Sequence, residues 1–272
     1  MADSRPIGVF DSGLGGLTVV KELSRFLPNE DIVYFGDTGR VPYGTKSQST
    51  IKQYAKEDEA FLLSKDVKLI IAACGTVSSV AADVSADLPV PFFEVVSYSA
   101  SSAVKATKNG KIGVIGTPAT VKSGKHKECI EKLMPNAEVT ANACPLFVPL
   151  VEEGWVDKSD IIVKETVARY LEPISLSGAD TIILGCTHYP VLSGAISEYL
   201  NDGVTLINAG TAVSEAVKQY LTENGILSDN KKEGKLSFYV SDKPDSFRIQ
   251  AEILLEKEIN ENEVKRVNLS EL

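Results

Sequence analysis

Cysteine is scarce in this chain, with four in 272 residues and no C-x-x-C pair among them. So few thiols exclude a disulfide-stapled secreted scaffold. Histidine is scarcer still, at two, His126 and His188, so no zinc site of the usual ligand spacing can be drawn and no metal is expected. Basic residues are outnumbered, 28 Lys and Arg against 37 Asp and Glu, for a net charge of −9. That balance argues against nucleic acid as the main partner, because phosphate binding needs a basic surface. No apolar run is long enough to cross a bilayer. The start, Met1-Ala2-Asp3-Ser4-Arg5-Pro6, lacks the charged-then-apolar form of a signal peptide. The expected compartment is the cytoplasm, with no membrane partner.

What remains is an ordinary globular composition, 43% hydrophobic and 24% charged, on a chain long enough for one large or two moderate domains. Short apolar runs at 7–10, 31–35, 69–73, 92–93, 112–115, 138–141, 181–183, 204–207 and 236–240 read as strands. Helical periodicity falls at 17–26, 47–64, 77–86, 99–107, 124–133, 160–170, 211–221 and 245–255. This alternation predicts an α/β fold with mainly parallel sheets flanked by helices. The order also echoes itself. Ile7-Gly8-Val9-Phe10 is matched by Ile112-Gly113-Val114-Ile115, and Ile70-Ile71-Ala72-Ala73-Cys74 by Ile182-Ile183-Leu184-Gly185-Cys186. Two such matches in one order suggest two related β/α halves, with a site at their interface.

The chemistry gathers at strand ends, where open α/β sheets collect ligands. Leu184-Gly185-Cys186-Thr187-His188-Tyr189-Pro190 sets a thiol, a hydroxyl and an imidazole together, and Cys74-Gly75-Thr76 sets a second thiol at the end of a similar strand. Asp11-Ser12-Gly13-Leu14-Gly15-Gly16 follows the first strand. Its glycines invite a nucleotide reading, but neither the spacing nor a P-loop lysine is present. They equally let backbone amides approach a small anion. The polar turn from Gly36 to Gly44 carries the other candidate contacts.

Cys129 and Cys144 read as inert apolar residues. Cys74 and Cys186 form a matched pair at loop mouths, the setting in which thiols become reactive. The cytoplasm disfavours a disulfide between them, and nucleophilic catalysis has no use for a second cysteine. Stereoinversion does need two groups, one to take a proton from one face of a carbon and one to return a proton to the other. A thiol, with an ordinary pKa of about 8.5, needs only a modest shift to serve as either acid or base. His188 reads as a pKa-tuning or proton-donating partner of Cys186. Asp11 reads either as a helix cap or as a group tuning Cys74, and Glu153 as the group orienting His188.

Phe10-Asp11-Ser12-Gly13-Leu14-Gly15-Gly16, Phe35-Gly36-Asp37-Thr38 with Val41-Pro42-Tyr43-Gly44, the run from Cys144 to Gly154, and Leu184 to Pro190 together resemble the glutamate racemase family of the aspartate/glutamate racemase superfamily. The resemblance covers nearly the whole chain. It implies a cofactor-independent isomerase that interconverts L- and D-glutamate, the latter for peptidoglycan, with Cys74 and Cys186 as the two proton-transfer residues. It further implies two pseudo-symmetric α/β domains, placed at 1–97 plus 209–272 and at 98–208, with the active site in the cleft between them. Asp11 and His188 would assist the cysteines and Glu153 would support His188. Substrate contacts would come from Asp11, Ser12, Tyr43, Gly44, Gly75, Thr76, Thr187 and His188. A homodimer is expected from the family and from the prevalence of two-fold oligomers.

Three positions depart from the family pattern. Gly75 stands where asparagine is usual and offers only its backbone N–H, a loss of about 1.5–3 kcal/mol for one hydrogen bond to a charged group. Glu94-Val95-Val96-Ser97 replaces Ile-Glu-Pro-Gly, and Asn208 replaces a common aspartate. Two alternatives follow: a racemase for aspartate or another amino acid in a pocket enlarged at Gly75, or a racemase-like binding or regulatory protein.

Overall fold

The computed structural model describes residues 2–201 and 203–269. The chain opens with β1 (Ile7–Asp11), α1 (Leu17–Phe26), β2 (Ile32–Gly36), α2 (Gln48–Leu63), β3 (Leu69–Ala72), α3 (Gly75–Val80), β4 (Phe92–Glu94) and α4 (Val95–Ala106). It continues through β5 (Lys111–Gly116), α5 (Pro118–Ser123), α6 (Lys125–Leu133), β6 (Glu138–Ala143), α7 (Phe147–Glu152), α8 (Ile161–Leu176), β7 (Thr181–Leu184), α9 (Ser193–Leu200) and β8 (Thr205–Asn208). It closes with α10 (Ala209–Glu223), β9 (Leu236–Val240), α11 (Pro244–Leu255) and β10 (Val264–Arg266).

Among the described residues ten strands make two sheets, both parallel throughout. One runs β10-β9-β2-β1-β3-β4 and the other β6-β5-β7-β8. The first sheet thus draws its strands from residues 7–94 and 236–266, and the second from 111–208. Parallel strands buried on both faces read as continuous apolar runs, which is why 7–10, 69–73 and 181–184 show no alternation. Each sheet has apolar side chains packed on both faces. On the first, Val19, Val20, Val213 and Val217 cover one side and Ile51, Phe61 and Leu62 the other. On the second, Val163, Val167 and Ile196 lie on one side, and Ala100, Ala103 and Ile130 on the other. Each half therefore buries its own core.

The echo in the sequence is a structural repeat. In the first half the Ala73 N–H bonds the Phe10 carbonyl at 2.9 Å, and in the second the Gly185 N–H bonds the Ile115 carbonyl at 2.7 Å. Each bond fixes the residue just before a cysteine against the central strand of its sheet. Cys74 and Cys186 leave their strands at equivalent places.

Several helices differ from their expected bounds, for local reasons. The helix expected at 77–86 starts at Gly75 and gives way to a 3-10 turn at Ala82–Ser85, so Cys74 itself is the N-cap of α3. The helix expected at 99–107 starts at Val95, because the Glu94 carboxylate accepts the Val96 and Ser97 N–H groups and caps it. The helix expected at 160–170 runs to Leu176 through Pro173. The helices α5, α7 and α9 and the edge strand β10 lie where no element is read from the sequence. Met1, Asp202 and residues 270–272, which the expected domain ranges include, lie outside the described residues.

Candidate active site

One cavity of about 350 Å³ is lined by both thiols. It opens where the carboxyl ends of the two sheets face each other, with Ser12, Cys74 and Thr76 on one wall and Thr117, Cys186, Thr187 and His188 on the other. Its size lies within the range of about 300–1,000 Å³ usual for small-molecule sites.

Asp11, the last residue of β1, is fully buried. Its Oδ2 accepts the Gly13 N–H at 2.9 Å and its Oδ1 faces the Thr187 hydroxyl at 3.5 Å, across the cleft. Burial raises its pKa, and the nearby His188 opposes that shift. The Cys74 thiol stands 3.6 Å from the Ser12 hydroxyl. Burial, then the charge of Asp11, push the thiol up to about 12, while the Val77 N–H and Ser12 pull the other way. Cys74 therefore rests as the neutral thiol, a proton donor.

The other wall is built differently. His188 Nδ1 faces the Cys186 sulfur at 3.9 Å, and its Nε2 is 3.2 Å from Glu152 Oε1. Burial alone would lower the imidazole pKa, but Cys186, Glu152 and Asp11 together raise it to about 10. His188 is thus an imidazolium near neutrality, with both ring N–H groups as donors.

Here one expectation is corrected. The group beside His188 is Glu152, not Glu153. Residues on a helix turn by about 100° each, so the last residue of α7 faces the cleft while its neighbour turns away. Glu153 is the C-cap of α7, its N–H bonded to the Pro149 carbonyl and its side chain exposed. It lines an adjoining depression beside Lys243 and Phe247, which shares Gly13, Leu14, Val41 and Glu152 with the thiol cavity but does not bring Glu153 to it.

Tyr43 and Gly44 do line the cavity, in the turn Tyr43–Thr45 that follows a cis Val41–Pro42 bond. The Tyr43 hydroxyl, however, is spent elsewhere. It donates to Asp37 and Asp58, two buried carboxylates that Arg40 also contacts. Gly75 lines the cavity without enlarging it, because the Gly185 carbonyl occupies the space a side chain would take. Glu94 and Asn208, the other departures from the family pattern, cap α4 and α10 and do not line the cavity. Thr117, which no sequence signal singles out, caps α5 and places its Oγ1 3.1 Å from that of Thr76.

Among the described residues no lysine or arginine lines the cavity, and no cluster of three metal-ligating side chains is present. An anionic substrate would be met by hydroxyls, by the imidazolium of His188 and by the first amides of α3, at a helix N-terminus that favours negative charge.

Two half-sites thus meet at one cavity, and the chain belongs to the Asp/Glu/hydantoin racemase family, whose model matches residues 7–217. It is an isomerase of the amino-acid racemase class. A glutamate racemase from Chlorobium phaeobacteroides is 42% identical over 264 residues, covering 96% of each chain. The glutamate racemase from Francisella tularensis, solved with D-glutamate, superposes with a TM-score of 0.91 at 41% identity, covering 99% of this chain and all of that one. The glutamate racemase from Thermus thermophilus, solved with β-chloro-D-alanine, gives a TM-score of 0.88 at 42% identity over the whole of both chains. Among the described residues no helix is long and apolar enough to cross a membrane.

Proposed function

We propose that this chain racemises glutamate by a two-base mechanism that needs no cofactor. The observation that carries the reading is the shared cavity between Cys74 and Cys186, each at the end of an equivalent strand. The α-carbon of the substrate sits between the two sulfurs. In one direction the Cys186 thiolate takes the Cα proton and the Cys74 thiol returns its own to the opposite face. The two sulfurs then exchange protonation states, and the reverse reaction runs from the other enantiomer. His188, as imidazolium, supports the anionic form of Cys186 through Nδ1–H, and Glu152 holds the ring. Asp11, expected as a substrate contact, is fully buried and does not line the cavity; it acts from behind it, its charge bearing on Cys74 and His188. The carbanion and its carboxylate meet fixed N–H and O–H dipoles already aimed at the cavity before the reaction starts.

Glutamate is favoured over aspartate by the relatives at 41–42% identity that carry the glutamate racemase name. The filled space at Gly75 also removes the argument for an enlarged pocket. We further propose that the D-glutamate serves peptidoglycan synthesis and that the enzyme is cytoplasmic. The working domains are 1–97 with 209–272, and 98–208. We also propose a homodimer, consistent with the exposed Ile249 and Ile253 on α11. The test is a polarimetric assay on L- and D-glutamate, L- and D-aspartate and alanine. Loss of rotation with both glutamate enantiomers, and at least 100-fold slower turnover of the rest, is the expected result. Faster turnover of aspartate, or none of any amino acid, would overturn the reading.

A further inference from the structure

We propose that Thr18, on the first half, is a positioning residue that holds the Thr187–His188 peptide of the second half from across the cleft. Its Oγ1 donates to the Thr187 carbonyl at 2.9 Å. Thr18 lies in the first turn of α1, just after the glycine-rich turn that follows β1. Thr187 stands between Cys186 and His188.

The Thr187 carbonyl needs a donor from elsewhere. Thr187 is buried, and a buried carbonyl left unpaired is costly. The chain after it forms a single 3-10 turn, Tyr189–Leu192, in which a carbonyl finds the N–H three residues ahead. The Cys186 carbonyl accepts the Tyr189 N–H at 3.0 Å, and the His188 carbonyl accepts that of Val191 at 3.2 Å. Between them, Thr187 faces Pro190, which has no N–H to give. Among the described residues the Thr18 hydroxyl is the donor that reaches this carbonyl. The Gly15 carbonyl lies equally close to that hydroxyl, at 2.9 Å, but it already accepts the Thr18 N–H at 3.0 Å. The single hydroxyl hydrogen therefore goes to Thr187.

The bond matters because of what the peptide carries. Turning it swings two side chains that line the cavity. One is Thr187, whose Oγ1 is 3.5 Å from Asp11, and the other is His188, whose Nδ1 faces the Cys186 sulfur. The same turn of the first half lies close against both. A Cβ on Gly15 would stand 2.1 Å from the Thr187 Oγ1 and 2.6 Å from the His188 Nδ1. The second half thus cannot satisfy its own Cys186–His188 segment, and the first half completes it.

The inference rests on the two-base reading, and one arm of its test needs no turnover. Thr18→Val keeps the shape of the side chain and removes the donor, whereas Thr18→Ser keeps the donor and removes the methyl group. Thr18→Val should lower kcat for glutamate about 10-fold and change KM less than threefold, because misalignment of a proton-transfer pair costs rate. Thr18→Ser should stay within twofold of the parent. The second arm is a titration of the two histidine rings by 15N NMR. The His188 midpoint, raised against burial to about 10 by Cys186, Glu152 and Asp11, should fall by at least about one pH unit in Thr18→Val and hold in Thr18→Ser. The His126 midpoint should hold in both; movement of both rings would mean a general loosening and would overturn the proposal. So would an unchanged His188 midpoint, unchanged kcat in an active Thr18→Val protein, or a Thr18→Ser variant as slow as Thr18→Val. Failure of Thr18→Val to fold would also count against it, because each half has its own core. A fallen His188 midpoint in a protein that turns over no amino acid would instead overturn the racemase reading and leave the positioning role standing.

Discussion

His188 Nε2 lies 3.2 Å from Glu152 Oε1, while the opposite nitrogen of the same ring faces the Cys186 sulfur. The imidazole is therefore a bridge between a carboxylate on α7 and a thiol at the end of β7. Cys74 has no such bridge among the described residues; its thiol meets the Ser12 hydroxyl and the Val77 N–H. The half-sites match in backbone and differ in side-chain electrostatics, so the two directions of the reaction start from unlike acid–base pairs.

Removing the bridge should act on one direction more than the other. Glu152→Gln should lower kcat and bring the His188 pKa down from about 10 towards its ordinary 6.5, because one of the charges raising it is gone. Initial rates of both enantiomers against pH check this, with the alkaline limb of one profile moving to lower pH. Glu153→Gln should leave both profiles within twofold of the parent.

Each thiol is needed for inversion. Cys74→Ala and Cys186→Ala should each lower racemisation by at least about 100-fold, the lower end of what a positioned acid or base contributes. Coupled detection of the product enantiomer reads this, with circular dichroism of each variant confirming that it is folded.

His188 also couples pH to stability. Its folded pKa is raised above the unfolded value, so its stabilising contribution is fully present below about 6.5 and is lost as pH rises through about 10. The thermal midpoint should fall over that window, and should fall less in His188→Asn.

His126 should do the opposite at the acid end. Burial lowers its pKa from 6.5 to about 4. The unfolded chain takes up a proton first, so stability falls as pH drops from 6.5 towards 4, by about 3 kcal/mol. Urea unfolding of the parent and of His126→Phe over this range should show the acid-side loss reduced in the variant.

The Tyr43 hydroxyl donates to the buried Asp37 and Asp58. Tyr43→Phe leaves those carboxylates short of a donor and should cost about 1–3 kcal/mol, read as a lower urea midpoint with an unchanged m-value.

Much of this was legible because parallel strands announce themselves as apolar runs, and both cysteines end such runs. The repeat was visible for the same reason, since Ile70–Cys74 and Ile182–Cys186 occupy equivalent strands. What stayed hidden depends on cross-cleft geometry or on one residue of helical phase. The run from Cys144 to Leu150 carries two prolines and no helical polarity, so α7 and the choice between Glu152 and Glu153 could not be read from it. Thr117 gains its place only because the second half brings it to Thr76. Gly75 looked like a lost amide that enlarges the pocket, and only the Gly185 carbonyl opposite it shows that the space is filled.

In the proposed reaction a proton leaves one face of the α-carbon and a different one arrives at the other. Running each glutamate enantiomer in D₂O and measuring α-deuterium early in the reaction tests it most directly. Two thiols on opposite faces predict deuterium in the product enantiomer far ahead of the recovered substrate, from both starting sides. Equal labelling of product and recovered substrate would contradict the mechanism, because it would mean that one base serves both faces.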